Sequence, residues 1–254
     1  MKETLKKLLP KKWVDQINEK RFNYKAYRRS NNLTKLALIH HSDKAGAHLY
    51  TAHYQEHFQN LKNKPINLLE IGVGGYDKPG QGGNSLRMWK DFFKNGRIYG
   101  IDIHDKSKLK IKRTKIYKGD QTDKQFLDVV VGEIAEIDII IDDGSHINDH
   151  IIKTFNHLFP KLKIGGWYVV EDLQTSYWSE YGGSSTDFKN SPTAINYFKS
   201  LTDGLNHSEF LIEGFKANEL DKNIVAIYFY HNMVFIKKGQ NNEPSNYVIN
   251  NRRP

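Results

Sequence analysis

The 254-residue sequence contains no cysteine. Disulfides, thiolate catalysis and sulfur-ligated zinc are thereby excluded, and carboxylates, histidines and backbone oxygens are left as metal ligands. There is no run of about 18 apolar residues, and Met1 to Lys12 carries no apolar core followed by a small-residue cleavage site. Neither a membrane span nor a secretory signal is expected, and the chain reads as cytoplasmic. Internal repeats and long low-complexity linkers are also missing. No zinc finger, basic zipper or aromatic ribonucleoprotein pattern accompanies the basic residues, so nucleic acid is not the expected partner. The G-x-S-x-G elbow that would activate Ser145 as a nucleophile is absent, which disfavours hydrolase chemistry.

What the chain does have is 38% hydrophobic and 12% aromatic content, enough for one sizeable core. Lysine and arginine number 38 against 29 acids, a net charge of +9, with basic runs at Lys6–Lys12, Lys20–Arg29 and Lys106–Lys118. These runs read as solvated surface or as an attraction for a phosphate-bearing substrate. From Leu5 to His41 the pattern is helical, and Pro10 makes the Leu5, Leu8, Leu9 segment too short for a membrane-surface anchor. Another helix is expected over Tyr50–Lys62. Beyond Pro65, apolar runs at Ile66–Ile71, Ile98–Ile103, Thr114–Tyr117, Ile137–Ile141 and Trp167–Val170 mostly alternate with helical patterns at Ser85–Lys94, Asp123–Glu133 and Asn148–Leu162. Such strands belong to a parallel sheet covered on both faces. Two further runs, Ile224–Tyr230 and Met233–Lys237, flank a turn at His231 and Asn232 and form a hairpin. The expected fold is α/β and Rossmann-like: a mostly parallel seven-stranded sheet ending in an antiparallel hairpin. The expected organisation is a helical extension over 1–49, a Rossmann-like α/β domain over 50–238 and a polar tail over 239–254.

Three strand tips suggest an adenosine site. The first, Glu70-Ile71-Gly72-Val73-Gly74-Gly75, sets an acid and a glycine turn where ligands of open α/β sheets bind. Position 77 is Asp, so the dinucleotide fingerprint G-x-G-x-x-G is not completed. The second tip ends in Asp102, suited to both ribose hydroxyls. The third carries Asp120 and Gln121, whose side chains could read an adenine edge. Taken singly, a glycine turn is also an ordinary tight turn and each acid also an ordinary helix cap. Taken together they favour an adenosine site.

The densest cluster is Asp142-Asp143-Gly144-Ser145-His146 after strand four and Glu171-Asp172 after strand five. Adjacent parallel strands bring these groups into one crevice, where like charges repel unless a cation or a proton lies among them. Ligation by Asp143, Glu171 and Asp172 suits Mg²⁺ or Mn²⁺. The alternative is a helix cap from Asp142 or Asp143 with Glu171 and Asp172 solvated. The segment Gln174–Ser191 reads as a mobile loop over the acceptor, with Tyr177, Trp178 and Tyr181 available to stack on a sugar or simply to pack.

Over His41–Trp178 the sequence resembles the metal-dependent sugar O-methyltransferases of the macrolide type, the mycinamicin and demethylmacrocin enzymes. The resemblance rests on Ser42-Asp43-Lys44, Leu69 to Tyr76, Gly83-Asn84-Ser85-Leu86-Arg87-Met88-Trp89-Lys90, Gly100 to Ile103, Gly119-Asp120-Gln121, Ile141 to His146 and Glu171-Asp172-Leu173. It implies S-adenosylmethionine contacts from Glu70, Gly72, Gly74, Ser85, Asp102, Asp120, Gln121 and Asp142. It also implies metal ligation by Asp143, Glu171 and Asp172, and His146 as general base. The macrolide enzymes carry a large additional N-terminal domain that the 40 residues before His41 are too short to supply. With the positive charge, this points to a nucleotide-activated sugar or a surface-polysaccharide precursor rather than a macrolide. A catechol-type acceptor is the nearest rival. A nicotinamide-dependent enzyme would share the fold, but no Tyr-x-x-x-Lys pair follows strand five. A homodimer is compatible with the apolar faces of the N-terminal helices.

Overall fold

A computed structural model describes residues 10–248, so Leu5, Leu8 and Leu9 lie outside the described residues, as does the end of the polar tail. The described residues form two compact units, one of residues 10–65 with 84–95 and one of residues 66–83 with 96–248.

The first unit contains α1 (Lys11–Arg29), α2 (Leu33–His40), α3 (Thr51–Phe58) and α4 (Asn84–Phe92). In and just beyond α4, Leu86, Trp89, Phe92 and Phe93 recur at helical spacing and are fully buried. Trp89 meets Tyr54 edge-on with ring centroids 4.9 Å apart and Phe58 at 6.3 Å. Asn32 caps α2 by accepting from the Lys35 N–H, and His40 Nε2 lies 2.8 Å from Asp91 Oδ2. Ser85 is buried in the first turn of α4. By contacts, this helix groups with the N-terminal helices rather than with the strands that flank it in sequence.

The second unit is a seven-stranded sheet of β1 (Asn67–Ile71), β2 (Arg97–Asp102), β3 (Thr114–Lys118), β4 (Ile137–Asp142), β5 (Leu162–Val170), β6 (Ile224–Tyr230) and β7 (Met233–Lys238), in the order β3-β2-β1-β4-β5-β7-β6. The first five strands run parallel, and β7 pairs antiparallel with both β5 and β6. Ile139, Ile140 and Ile141 are all fully buried, as a strand covered on both faces requires. Helices α5 (Lys124–Ile134), α6 (Asn148–Leu158), α7 (Ala194–Gly204) and α8 (Glu219–Asn223) complete the unit. The β6–β7 turn is closed by Asn232 at φ 64°, a left-handed conformation that asparagine tolerates. These observations match the expected fold. Helix α7 was not read from the sequence, where its residues follow a segment rich in Ser, Gly and aromatics. The strand order reverses between β2-β1 and β4-β5, so the carboxyl ends of β1 and β4 border the crevice where open sheets of this kind bind ligands.

Candidate functional site

The tips of β1 and β4 are held in close contact. Asp143 N–H donates to the Ile71 carbonyl at 2.9 Å, and Gly72 N–H donates to that of Ile101 at 2.8 Å. Gly72 has φ +91°, and a Cβ there would stand 1.9 Å from the Asp143 carbonyl oxygen. Only glycine therefore permits the first turn to lie against the acidic segment. Glu70, one residue before Ile71, is fully buried on the strand.

Asp102 ends β2 and is buried; its Oδ2 accepts from the Val73 N–H at 3.0 Å and its Oδ1 from the His104 N–H at 2.8 Å. A carboxylate has about four acceptor sites, so these two bonds fix its orientation and leave capacity for a diol. Next to it Ile103 is 57% exposed, an apolar side chain at the end of the same strand.

The third tip departs from expectation. Gln121 is buried, and its Nε2 donates to Asp142 Oδ1 at 3.2 Å and to Thr154 Oγ1 at 3.1 Å, while its Oε1 accepts from the Ser145 N–H at 2.8 Å. Its amide hydrogens are thus committed inside the protein, and it braces the acidic segment rather than presenting a donor to an adenine edge. Asp120 is exposed, and its Oδ1 accepts from the N–H and hydroxyl of Thr122, which hold its carboxyl below the usual carboxylate range.

Neither Asp142 nor Asp143 caps α6: the N-cap residue is Ile147, without a side-chain bond. Asp142 is buried at the end of β4. Burial pushes its carboxyl up to about 7, against the opposing hydrogen bonds from Gln121 and the Gly144 N–H. The Tyr168 hydroxyl faces the same group without reaching hydrogen-bond geometry, and burial holds its own pKa well above the ordinary tyrosine value. An acid raised in the folded state favours folding most below its ordinary value near 3.8, and this contribution is lost as pH climbs towards about 7. In EDTA, unfolding stability should therefore decline across that interval, and Asp142→Asn should flatten the decline. Parallel urea titrations from acid to neutral pH check this, and identical slopes for the two proteins would refute it.

The structure draws Asp143, His146 and Asp172 together: one ligand atom from each lies within 4.8 Å of the others. His146 Nε2 is 3.8 Å from Asp172 Oδ2, with side chains 26% and 17% exposed. Both residues are left-handed, His146 at φ 58° and Asp172 at φ 56°, and non-glycine residues in that region concentrate at functional sites. Glu171, expected as the third carboxylate ligand, is buried beside Asp172 and is not in the converging group. Two hard carboxylates and an imidazole, half-buried, form a donor set that suits a divalent cation.

Gln174–Ser191, expected as a mobile loop, opens with two short 3₁₀ helices, and its first half is cross-linked by a residue that motif reading missed. Asn148 is 1% exposed. Its Nδ2 donates to the carbonyls of Thr175 (3.2 Å) and Tyr181 (2.8 Å), and its Oδ1 accepts from Ser176 Oγ (2.8 Å) and the Ala194 N–H (2.6 Å). All four hydrogen-bonding positions of the amide are filled. Tyr177 and Trp178 are held outward, 38% and 50% exposed, and Trp178 lies 6.0 Å from Tyr181 between ring centroids. Asn148→Ala would leave the Ala194 N–H and the Ser176 hydroxyl without their acceptor and take a donor from the Tyr181 carbonyl, while the Thr175 carbonyl keeps the Trp178 N–H, at about 1–3 kcal/mol per unsatisfied group. A loss of about 3 kcal/mol in urea unfolding is expected, with faster amide exchange over residues 175–184; unchanged exchange there would contradict it.

No family model matches the chain. It is 45% identical over 210 residues to an 8-demethyl-8-α-L-rhamnosyl tetracenomycin-C 2'-O-methyltransferase of Streptomyces olivaceus, covering 82% of this chain and 55% of that protein. It is 43% identical over 217 residues to the mycinamicin VI 2''-O-methyltransferase of Micromonospora griseorubida, covering 85% and 54%. The solved structure of the MycE methyltransferase from the mycinamycin biosynthetic pathway, in complex with Mg and SAH, superposes with a TM-score of 0.82 at 42% identity over 87% of this chain and 57% of that one. The chain thus spans about half the length of the curated relatives it matches. Over the residues they share, it belongs to the same family as these sugar O-methyltransferases, within the class I S-adenosylmethionine-dependent methyltransferase superfamily.

Proposed function

We propose that this chain is an S-adenosylmethionine- and divalent-metal-dependent O-methyltransferase acting on a sugar hydroxyl. The observation that carries the reading is the convergence of Asp143, His146 and Asp172 on a segment in backbone contact with the Gly72 turn. That arrangement supports a cation site and a base next to the tips that would hold the cofactor, and a related enzyme was solved with Mg and SAH. Asp102 would bind the ribose, with Glu70, Gly72 and Gly74 shaping the turn around the rest of the cofactor. Asp143 and Asp172 would hold Mg²⁺ or Mn²⁺, with Glu171 proposed from the sequence as a further ligand. The cation, when bound, supplies positive charge that favours ionisation of a coordinated hydroxyl. His146 accepts the hydroxyl proton at Nε2, and the Asp172 carboxylate stabilises the resulting imidazolium. The acceptor oxygen forms its bond to the methyl carbon as the carbon–sulfur bond breaks, leaving S-adenosylhomocysteine and the methyl ether. Alignment of oxygen, methyl and sulfur supplies much of the acceleration.

For the acceptor, the tethered aromatic loop with Tyr177, Trp178 and Tyr181 suits a sugar ring. A nucleotide-activated sugar or polysaccharide precursor is favoured by the exposed Lys108, Lys110, Lys112 and Arg113 between β2 and β3. Related proteins are named for glycosides of tetracenomycin and mycinamicin, which makes antibiotic-type glycosides the second acceptor class. The domain bounds 50–238, a cytoplasmic location and a homodimer belong to the same proposal. The test is methyl transfer from labelled S-adenosylmethionine, with and without Mg²⁺, to sugar nucleotides, rhamnosides and catechols. Transfer to sugars alone supports the reading; transfer only to catechols replaces it, and Mg²⁺-independent transfer removes the metal.

A further inference from the structure

Between the glycine turn and α4 the chain makes an excursion, Val73-Gly74-Gly75-Tyr76-Asp77-Lys78-Pro79-Gly80-Gln81-Gly82-Gly83, that is closed at its base. Gly83 N–H donates to the Val73 carbonyl at 2.7 Å. Gly82, at φ +97°, presses on the other side of the loop, where a Cβ would stand 2.1 Å from the Gly74 carbonyl oxygen. At its tip Tyr76 is left-handed, φ 46°, and 86% exposed. A non-glycine residue in that conformation is strained by about 1 kcal/mol or more and needs outside support.

The support comes from Lys106, a lysine 1% exposed on the segment just after β2. Its Nζ donates to the carbonyl of Tyr76, and also to those of Lys78 at 3.2 Å and Gln81 at 3.4 Å. An ammonium has three donors, and each has a carbonyl. The partners all lie on the excursion, and the lysine stands four residues beyond Asp102, whose Oδ2 already accepts from the Val73 N–H. Two ties thus join the glycine loop to the strand tip proposed to bind ribose, one at the loop's base and one across its middle.

We propose that Lys106 is a positioning residue for the cofactor: it holds the 73–83 loop in the shape that lets the Gly72–Gly75 turn and Asp102 grip S-adenosylmethionine together. This rests on the cofactor reading given above. The molecule provides its own control in Lys238, a second buried lysine. Its Nζ donates to the carbonyls of Phe159, Pro160 and Leu162, around the start of β5 and away from the carboxyl ends of the strands.

The experiment is calorimetric titration of the full chain with S-adenosylhomocysteine below the melting temperature, which needs no acceptor. Wild type should bind. Lys106→Met and, from the opposite side of the loop, Gly82→Ala should each raise Kd tenfold or more, whereas Lys238→Met should lower the melting temperature and leave Kd within twofold of wild type. Wild-type Kd in Lys106→Met overturns the inference alone. Equal weakening in Lys106→Met and Lys238→Met also overturns it, by reducing the effect to general destabilisation. No binding by wild type removes the cofactor reading and this inference with it.

Discussion

Asp143→Asn is expected to lower methyl transfer by about 10³-fold and to abolish its response to Mg²⁺, while S-adenosylmethionine still binds. The residue's backbone is fixed from both sides: its N–H donates to Ile71, and its carbonyl oxygen fills the space that a Gly72 side chain would occupy. Because the amide is isosteric, the substitution leaves this backbone in place and changes only the donor. One of the two carboxylates in the converging group then loses its charge, and Asp172 and His146 alone would hold a hydrated divalent cation poorly. A metal acting as Lewis acid is worth several kcal/mol in the transition state, and about 4 kcal/mol corresponds to the stated factor. Mg²⁺ titration of turnover alongside calorimetry with the cofactor separates the two effects. Wild-type turnover and metal response in Asp143→Asn would place the cation elsewhere.

That the acids gather at one edge of the sheet was legible from sequence because strand tips in a parallel sheet share one edge, and the acids fall immediately after apolar runs. The same logic put Asp102 at the end of β2. It could not foresee where Gln121 spends its amide, since its partners Asp142, at the end of β4, and Thr154, on α6, lie 21 and 33 residues away and are brought near only by the fold. Asn148 was hidden for the same reason: in sequence it is the first residue of a helix, and its four partners belong to chain 27 to 46 residues further on. Backbone conformation set the remaining limit. Glu171 and Asp172 are equivalent carboxylates on paper, and only Asp172, at a left-handed backbone position that no sequence pattern announces, belongs to the converging group.

His146 is the residue whose role the geometry leaves to experiment, because its ring belongs to the converging donor set and also lies within reach of Asp172 as a base would. The two roles predict different kinetics. As a proton acceptor, His146 contributes a general-base factor of about 10²–10⁴, so His146→Ala should lose that much in kcat with the Mg²⁺ concentration for half-activation unchanged. Its residual rate should rise with hydroxide concentration, and added imidazole should restore part of it, since the cavity left by the ring lies in a partly exposed cleft. As a ligand, its loss would instead shift the Mg²⁺ requirement upward, and saturating metal would recover turnover without imidazole. The base assignment is expected because two aspartates already furnish hard oxygen donors, which Mg²⁺ prefers to imidazole nitrogen. Recovery by metal alone would transfer His146 to the ligand set and leave proton removal to solvent or to the acceptor's own surroundings.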